Sequence, residues 1–129
     1  MRSNNMKSPS ALKVLVVEDN LLDFELMTAA LSAELKCDIT LAMTAKEFKS
    51  QIEANCPDVI VSDSNFFAFD GAAALKMARE NCPDVPFIFC SGAPLDNLQK
   101  YGDVGEVPRI GKEPGFQSLV AHIKQIRNG

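Results

Sequence analysis

The chain has 129 residues, 47% of them hydrophobic and 23% charged, which is enough apolar material for one globular domain and too much for a disordered segment. Lys+Arg 13 against Asp+Glu 17 leaves a formal charge of −4 with no segregated basic patch, so nucleic-acid binding by this domain is excluded as its role. The opening MRSNNMKSPS carries no signal-type apolar stretch, and the first apolar run stops at Glu18, far short of the ~20 residues of a membrane span. A cytoplasmic protein without a membrane partner is expected.

Residues 1–11 read as a flexible polar arm and 12–127 as the domain. LKVLVV at 12–17 is a Val-rich run of the kind buried on both faces of a sheet. Residues 21–35 repeat Phe24, Met27, Leu31 and Leu35 at helical spacing, with Asn20 placed to cap the start. A second strand is expected at CDITLA, 37–42, then a helix over 44–54 opened by the capping pair Thr44 and Glu47. DVIVS at 58–62 is the third strand, and the Ala-rich stretch 71–81 the third helix, ending before Cys82-Pro83. The fourth strand is PFIFCS, 86–91, and a short fourth helix is expected over 95–101. VPRIG, 107–111, is the weakest strand signal. Residues 116–127 close the pattern, with Phe116, Leu119, Val120, Ile123 and Ile126 on one helix face.

Five alternations of strand and helix mean an α/β domain with a parallel sheet and right-handed crossovers. The four cysteines (Cys37, Cys56, Cys82, Cys90) show no C-x-x-C spacing, and His122 is the one histidine, so neither a zinc site nor a Cys/His nucleophile is supported. All four are expected as reduced thiols, buried or half-buried, because a chain of this length makes its core without a disulfide framework.

A sheet of this kind places its site at the carboxyl ends of the strands. Glu18 and Asp19 follow the first strand, Asp63 the third, Ser91 ends the fourth, and Lys112 follows the fifth. Two carboxylates ~4 Å apart repel by about 4 kcal/mol at an effective dielectric of ~20, so such a cluster calls for a proton, a lysine or a metal. An all-oxygen donor set selects a hard cation, Mg²⁺ held by one or two carboxylates being the usual solution. One carboxylate can then act as a nucleophile toward phosphorus while Lys112 takes up charge on the equatorial oxygens.

VLVVEDN (14–20), PDVIVSDSNFFAFDG (57–71), FIFCSG (87–92) and IGK (110–112) together resemble the receiver domain of two-component response regulators, the chemotaxis-regulator-like family, over nearly the whole chain. The resemblance implies a flavodoxin-like, doubly wound, five-stranded parallel sheet of order 2-1-3-4-5 with five helices. It makes Asp63 the phosphoacceptor and, with the acidic pair Glu18 and Asp19, part of the Mg²⁺ site, Asp19 being a direct ligand, and Asn65 the residue whose backbone carbonyl completes the metal shell. Ser91 matches the hydroxyl that hydrogen-bonds the phosphoryl group, and Lys112 the lysine that pairs with it. Asp70-Gly71 matches the close of the loop after the acceptor, and Gly92 and Ala93 the small-walled mouth. The implied partners are a sensor histidine kinase or histidine phosphotransfer protein as donor, and a downstream effector that reads the face of the fourth helix, fifth strand and fifth helix.

Three positions depart from the family pattern: Phe67 in place of proline, Arg109 in place of an aromatic switch residue, and Glu113 between Lys112 and Pro114. They bear on output and motivate the alternative, a pseudo-receiver that binds partners regardless of phosphorylation. An aspartate-nucleophile phosphohydrolase is the enzymatic alternative, but it needs a second acid where Asn65 stands. Phe66, Phe67 and Phe69 are expected to pack the acceptor loop against the sheet edge. Arg109 and His122 are expected on the surface, and Lys124 and Arg127 suit a helix C-terminus.

Overall fold

Short runs of β-branched residues form the centre of this molecule because only a strand covered on both faces can bury them without a polar side. The computed structural model describes residues 11–63, 71–91, 107–112 and 114–128. In chain order the elements are β1 (Leu12–Val17), α1 (Leu21–Glu34), β2 (Cys37–Ala42), α2 (Ala45–Ala54), β3 (Val59–Asp63), α3 (Gly71–Asn81), β4 (Phe87–Ser91), β5 (Arg109–Gly111), a 3₁₀ turn (Pro114–Phe116) and α4 (Gln117–Asn128). All pairings are parallel, in the order β2-β1-β3-β4-β5, which is the expected 2-1-3-4-5. The described residues contain four α-helices rather than five, and the stretch 95–101 expected as the extra helix lies outside them.

Burial follows from the order. Central β3 is buried at every position, and β1 at all but Lys13. Edge strand β2 alternates, with Asp38 and Thr40 in solvent, as a strand covered on one face does. Leu15, Val17, Ile60, Phe87 and Phe89 face α2 and α3, where they meet Phe48, Ile52, Ala74 and Ala78. Val14, Val16, Val59, Val61 and Ile88 face α1 and α4, meeting Met27, Leu31, Leu119 and Ile123.

The helix starts are set by side chains. Asn20 Oδ1 accepts from the Asp23 N–H at 3.0 Å, and Thr44 Oγ1 from the Glu47 N–H at 3.0 Å, each satisfying a donor that the helix itself cannot. Glu47 returns the favour by accepting from the Met43 N–H at 2.6 Å, one residue before the cap. Asp58 stands just outside β3 rather than in it, where its carboxylate accepts from the Lys13 N–H at 2.8 Å. After Lys112 the chain turns through Gly115 at φ 79° and Phe116 at φ 50°, and no cis peptide bond occurs among the described residues. A left-handed phenylalanine is strained, and burial of its ring to 5% exposure in the α1–α4 core offsets that cost.

The cysteine expectation is corrected for two of the four. Cys56 and Cys82 form a disulfide with their Cα atoms 5.7 Å apart, while Cys37 and Cys90 stay in the reduced thiol form. The physical reason is topological. Cys56 precedes β3 and Cys82 precedes β4, and these neighbouring parallel strands bring their approach turns together at the amino-terminal end of the sheet.

Candidate functional site

The opposite, carboxyl-terminal end of the sheet gathers the acids. Asp63 is the last residue of β3, and β1 delivers Glu18 and Asp19 immediately after Val17. The Glu18 N–H donates to the Ala42 carbonyl at 3.2 Å, which anchors the chain at the end of β2. One carboxylate oxygen from each of Glu18, Asp19 and Asp63 lies within 4.8 Å of the others. Glu18 and Asp63 are 1% and 7% exposed, and Asp19 faces solvent. Three carboxylate oxygens at this separation, two nearly dry and one wet, fit a hard, partly hydrated cation such as Mg²⁺.

Lys112, directly after β5, brings the compensating charge. Its Nζ donates to Glu18 Oε1 at 2.8 Å and to Asp23 Oδ2 at 2.8 Å, and stands 3.7 Å from Asp63 Oδ2. Burial by itself would lower the pKa of this ammonium; the hydrogen bonds to Asp23 and Glu18, with the Asp63 charge, outweigh it and hold Lys112 above its ordinary range. Glu18 moves the other way from a usual carboxyl. Burial, then the adjoining Asp63 carboxyl, push it up to about 7 against the opposing pull of Lys112. The group therefore carries less negative charge near neutrality than its formula implies.

Of the residues singled out in the sequence, the structure brings together Glu18, Asp19, Asp63 and Lys112. Ser91 ends β4 paired in register with Gly111, one residue before Lys112. Asn65, Phe66, Phe67, Phe69, Asp70, Gly92, Ala93 and Glu113 lie outside the described residues. Arg109 is exposed at the start of β5, as expected, whereas His122 is half-buried rather than a plain surface group. The site residue that sequence reasoning missed is Asp23. Its signal was available: a helix that starts just past a strand end and is capped by Asn20 carries its third position on the same rim.

Among the described residues, no helix is long and apolar enough to cross a membrane. A profile described as the response regulator receiver domain matches residues 14–124. A search of curated proteins gives no match. Among solved structures, the receiver domain of sensor histidine kinase PA1611 from Pseudomonas aeruginosa PAO1, with a magnesium ion coordinated in its active site cleft, is similar at TM-score 0.80 and 22% identity, covering 93% of this chain and 100% of that one. The signal receiver domain of an HD domain-containing protein from Pseudomonas fluorescens Pf-5 is similar at TM-score 0.79 and 20% identity, over 98% and 93% of the two chains. A CheY-like receiver domain protein from Methanospirillum hungatei JF-1 matches at TM-score 0.78 and 21% identity, over 92% and 95%. At such identities these likenesses establish the fold.

Proposed function

Since the chain belongs to the response regulator receiver domain family, a family of signalling domains, we propose that it is a phosphoacceptor switch in which Asp63 receives a phosphoryl group in a Mg²⁺-dependent step. The donor is the phosphohistidine of a sensor histidine kinase or histidine phosphotransfer protein in the cytoplasm. An Asp63 carboxylate oxygen attacks phosphorus in line, the P–N bond breaks, and the imidazole leaves with the electron pair. Bound Mg²⁺ supplies charge neutralisation at the phosphoryl oxygens. Glu18, Asp19 and Asp63 would hold it together with the Asn65 backbone carbonyl. Lys112 remains charged beside Asp63 and balances the anion formed there, and the Ser91 hydroxyl is the hydrogen-bond donor from β4. The domain assists its own phosphorylation and the hydrolysis of the aspartyl phosphate, without turnover of another substrate. The phosphorylated form then presents a changed surface to a downstream effector.

The observation that carries this reading is the convergence of three carboxylate oxygens within 4.8 Å beside an ammonium that remains protonated. Incubation with acetyl phosphate tests it. Mass spectrometry is expected to find a Mg²⁺-dependent, base- and hydroxylamine-labile phosphoryl group on Asp63 and none on the Asp63→Asn variant. Labelling that persists on the variant removes Asp63 from the role. Backbone amide signals of Glu18, Asp19 and Asp63 that stay fixed at millimolar Mg²⁺ favour the phosphorylation-independent pseudo-receiver instead.

A further inference from the structure

Lys112 makes its two short hydrogen bonds to Glu18 and Asp23 and leaves Asp63 at 3.7 Å, beyond hydrogen-bond reach. An ammonium has three N–H donors, and the two best placed here point away from the acceptor. The third N–H is left for an anion on Asp63, and any shift of Nζ toward that anion from 3.7 Å lengthens the bonds to Glu18 and Asp23. The two carboxylates that hold it differ in surroundings. Glu18 is 1% exposed, while the Asp23 side chain is 32% exposed at the wet rim. Water can replace Lys112 at Asp23 but has little access to Glu18, so Asp23 is the partner released at lower cost. Asp23 sits in the first turn of α1 and Lys112 follows β5, so this contact joins two elements across the mouth of the site. Asp23 also adds a negative charge at the rim that an arriving phosphate-like anion must approach.

We propose that Asp23 is a positioning residue that holds Lys112 back from Asp63, so that its release sets how readily the site accepts a phosphoryl-like anion. The inference rests on the acceptor reading above, and it assigns to a side chain on α1 a control over the lysine that follows β5. Asp23→Asn keeps the shape and an acceptor oxygen but removes the charge that makes the bond to Lys112 strong. Asp23→Glu keeps the charge on a longer arm.

Beryllofluoride affinity, read by amide NMR titration at saturating Mg²⁺, tests this, together with the half-saturating concentration and maximal rate for acetyl phosphate. Asp23→Asn is expected to bind beryllofluoride several-fold more tightly than the wild type and to lower the half-saturating acetyl phosphate concentration by a similar factor. The Lys112 Nζ resonance is expected to move in metal-free Asp23→Asn, and Asp23→Glu to restore the wild-type values. A generally loosened α1 would change none of these in that direction. Unchanged or weaker beryllofluoride binding by Asp23→Asn, with the wild type binding normally, overturns the role of Asp23 and leaves the acceptor reading standing. Failure of the wild type itself to bind beryllofluoride overturns both.

Discussion

Glu18 is expected to make the metal-free protein lose stability as pH rises, because burial beside Asp63 favours its protonated form. In the unfolded chain its carboxyl titrates at 4.5; in the fold, burial and the neighbouring Asp63 raise it to about 7. Between those values the folded state holds a proton that the unfolded state has released. The stabilising contribution is therefore fully present below 4.5 and is lost as pH climbs through about 7. The gap, at ~1.36 kcal/mol per pH unit, amounts to about 3 kcal/mol. Solvent screening takes little from it because Glu18 is 1% exposed. Glu18→Gln keeps the volume and cannot ionise, so subtracting its curve cancels every other titrating group to first order. Urea unfolding in EDTA, run from just below pH 4.5 to just above pH 7, is expected to show the wild type losing about 3 kcal/mol relative to Glu18→Gln. Excess Mg²⁺ is expected to return much of that loss at the alkaline end, since the ion binds the ionised folded form. Parallel curves for the two proteins would mean that Glu18 titrates in the fold as it does in the unfolded chain, and the account of its burial beside Asp63 would be wrong.

Three further outcomes are expected. Lys112→Met strands Glu18 and Asp63 side by side in a dry site, and is expected to cost about 3 kcal/mol in metal-free thermal unfolding above pH 7, with most of it recovered on adding Mg²⁺. Reduction of the Cys56–Cys82 bond, which closes a loop of sequence separation 26, is expected to lower urea stability by about 3 kcal/mol, and the Cys56→Ser, Cys82→Ser double variant to show no effect of reductant. On α1, Leu31→Ala is expected to cost about 3 kcal/mol because the residue is completely buried, whereas Leu22→Ala, at 62% exposure, stays within about 0.5 kcal/mol by the same assay.

Local signals were strong wherever one physical cause decided the outcome. The Val-rich strands, the caps Asn20 and Thr44, and the core faces of α1 and α4 all follow from periodicity and hydrogen-bond demand along a few residues. The acids of the site were legible for a different reason: in a parallel sheet, every residue just past a strand end shares one rim, so adjacency in space follows from topology. What escaped required knowing which elements approach one another. Asp23 looks like an ordinary first-turn acid until β5 brings Lys112 against it. The disulfide had a written signal of another sort. Asn-Cys-Pro-Asp-Val occurs twice, at 55–59 and 81–85, each time leading into one of two strands that turn out to be neighbours. Without the strand order, that repetition names two matching turns but does not say that they touch. The three exposed leucines of α1 (Leu21, Leu22 and Leu26) lie off the Phe24, Met27, Leu31 and Leu35 stripe and stay in solvent.

The sulfur bridge also changes what a protease can do to this domain. Everything between Cys56 and Cys82, including Asp63 and all of α3, belongs to a covalently closed ring. A single peptide-bond cut inside that ring therefore produces two fragments that still migrate as one species until a thiol is added. Nicked and intact protein would be indistinguishable on a non-reducing gel, and a cut between Cys56 and Asp63 would leave the piece that carries Asp63 tethered to the piece that carries Glu18 and Asp19.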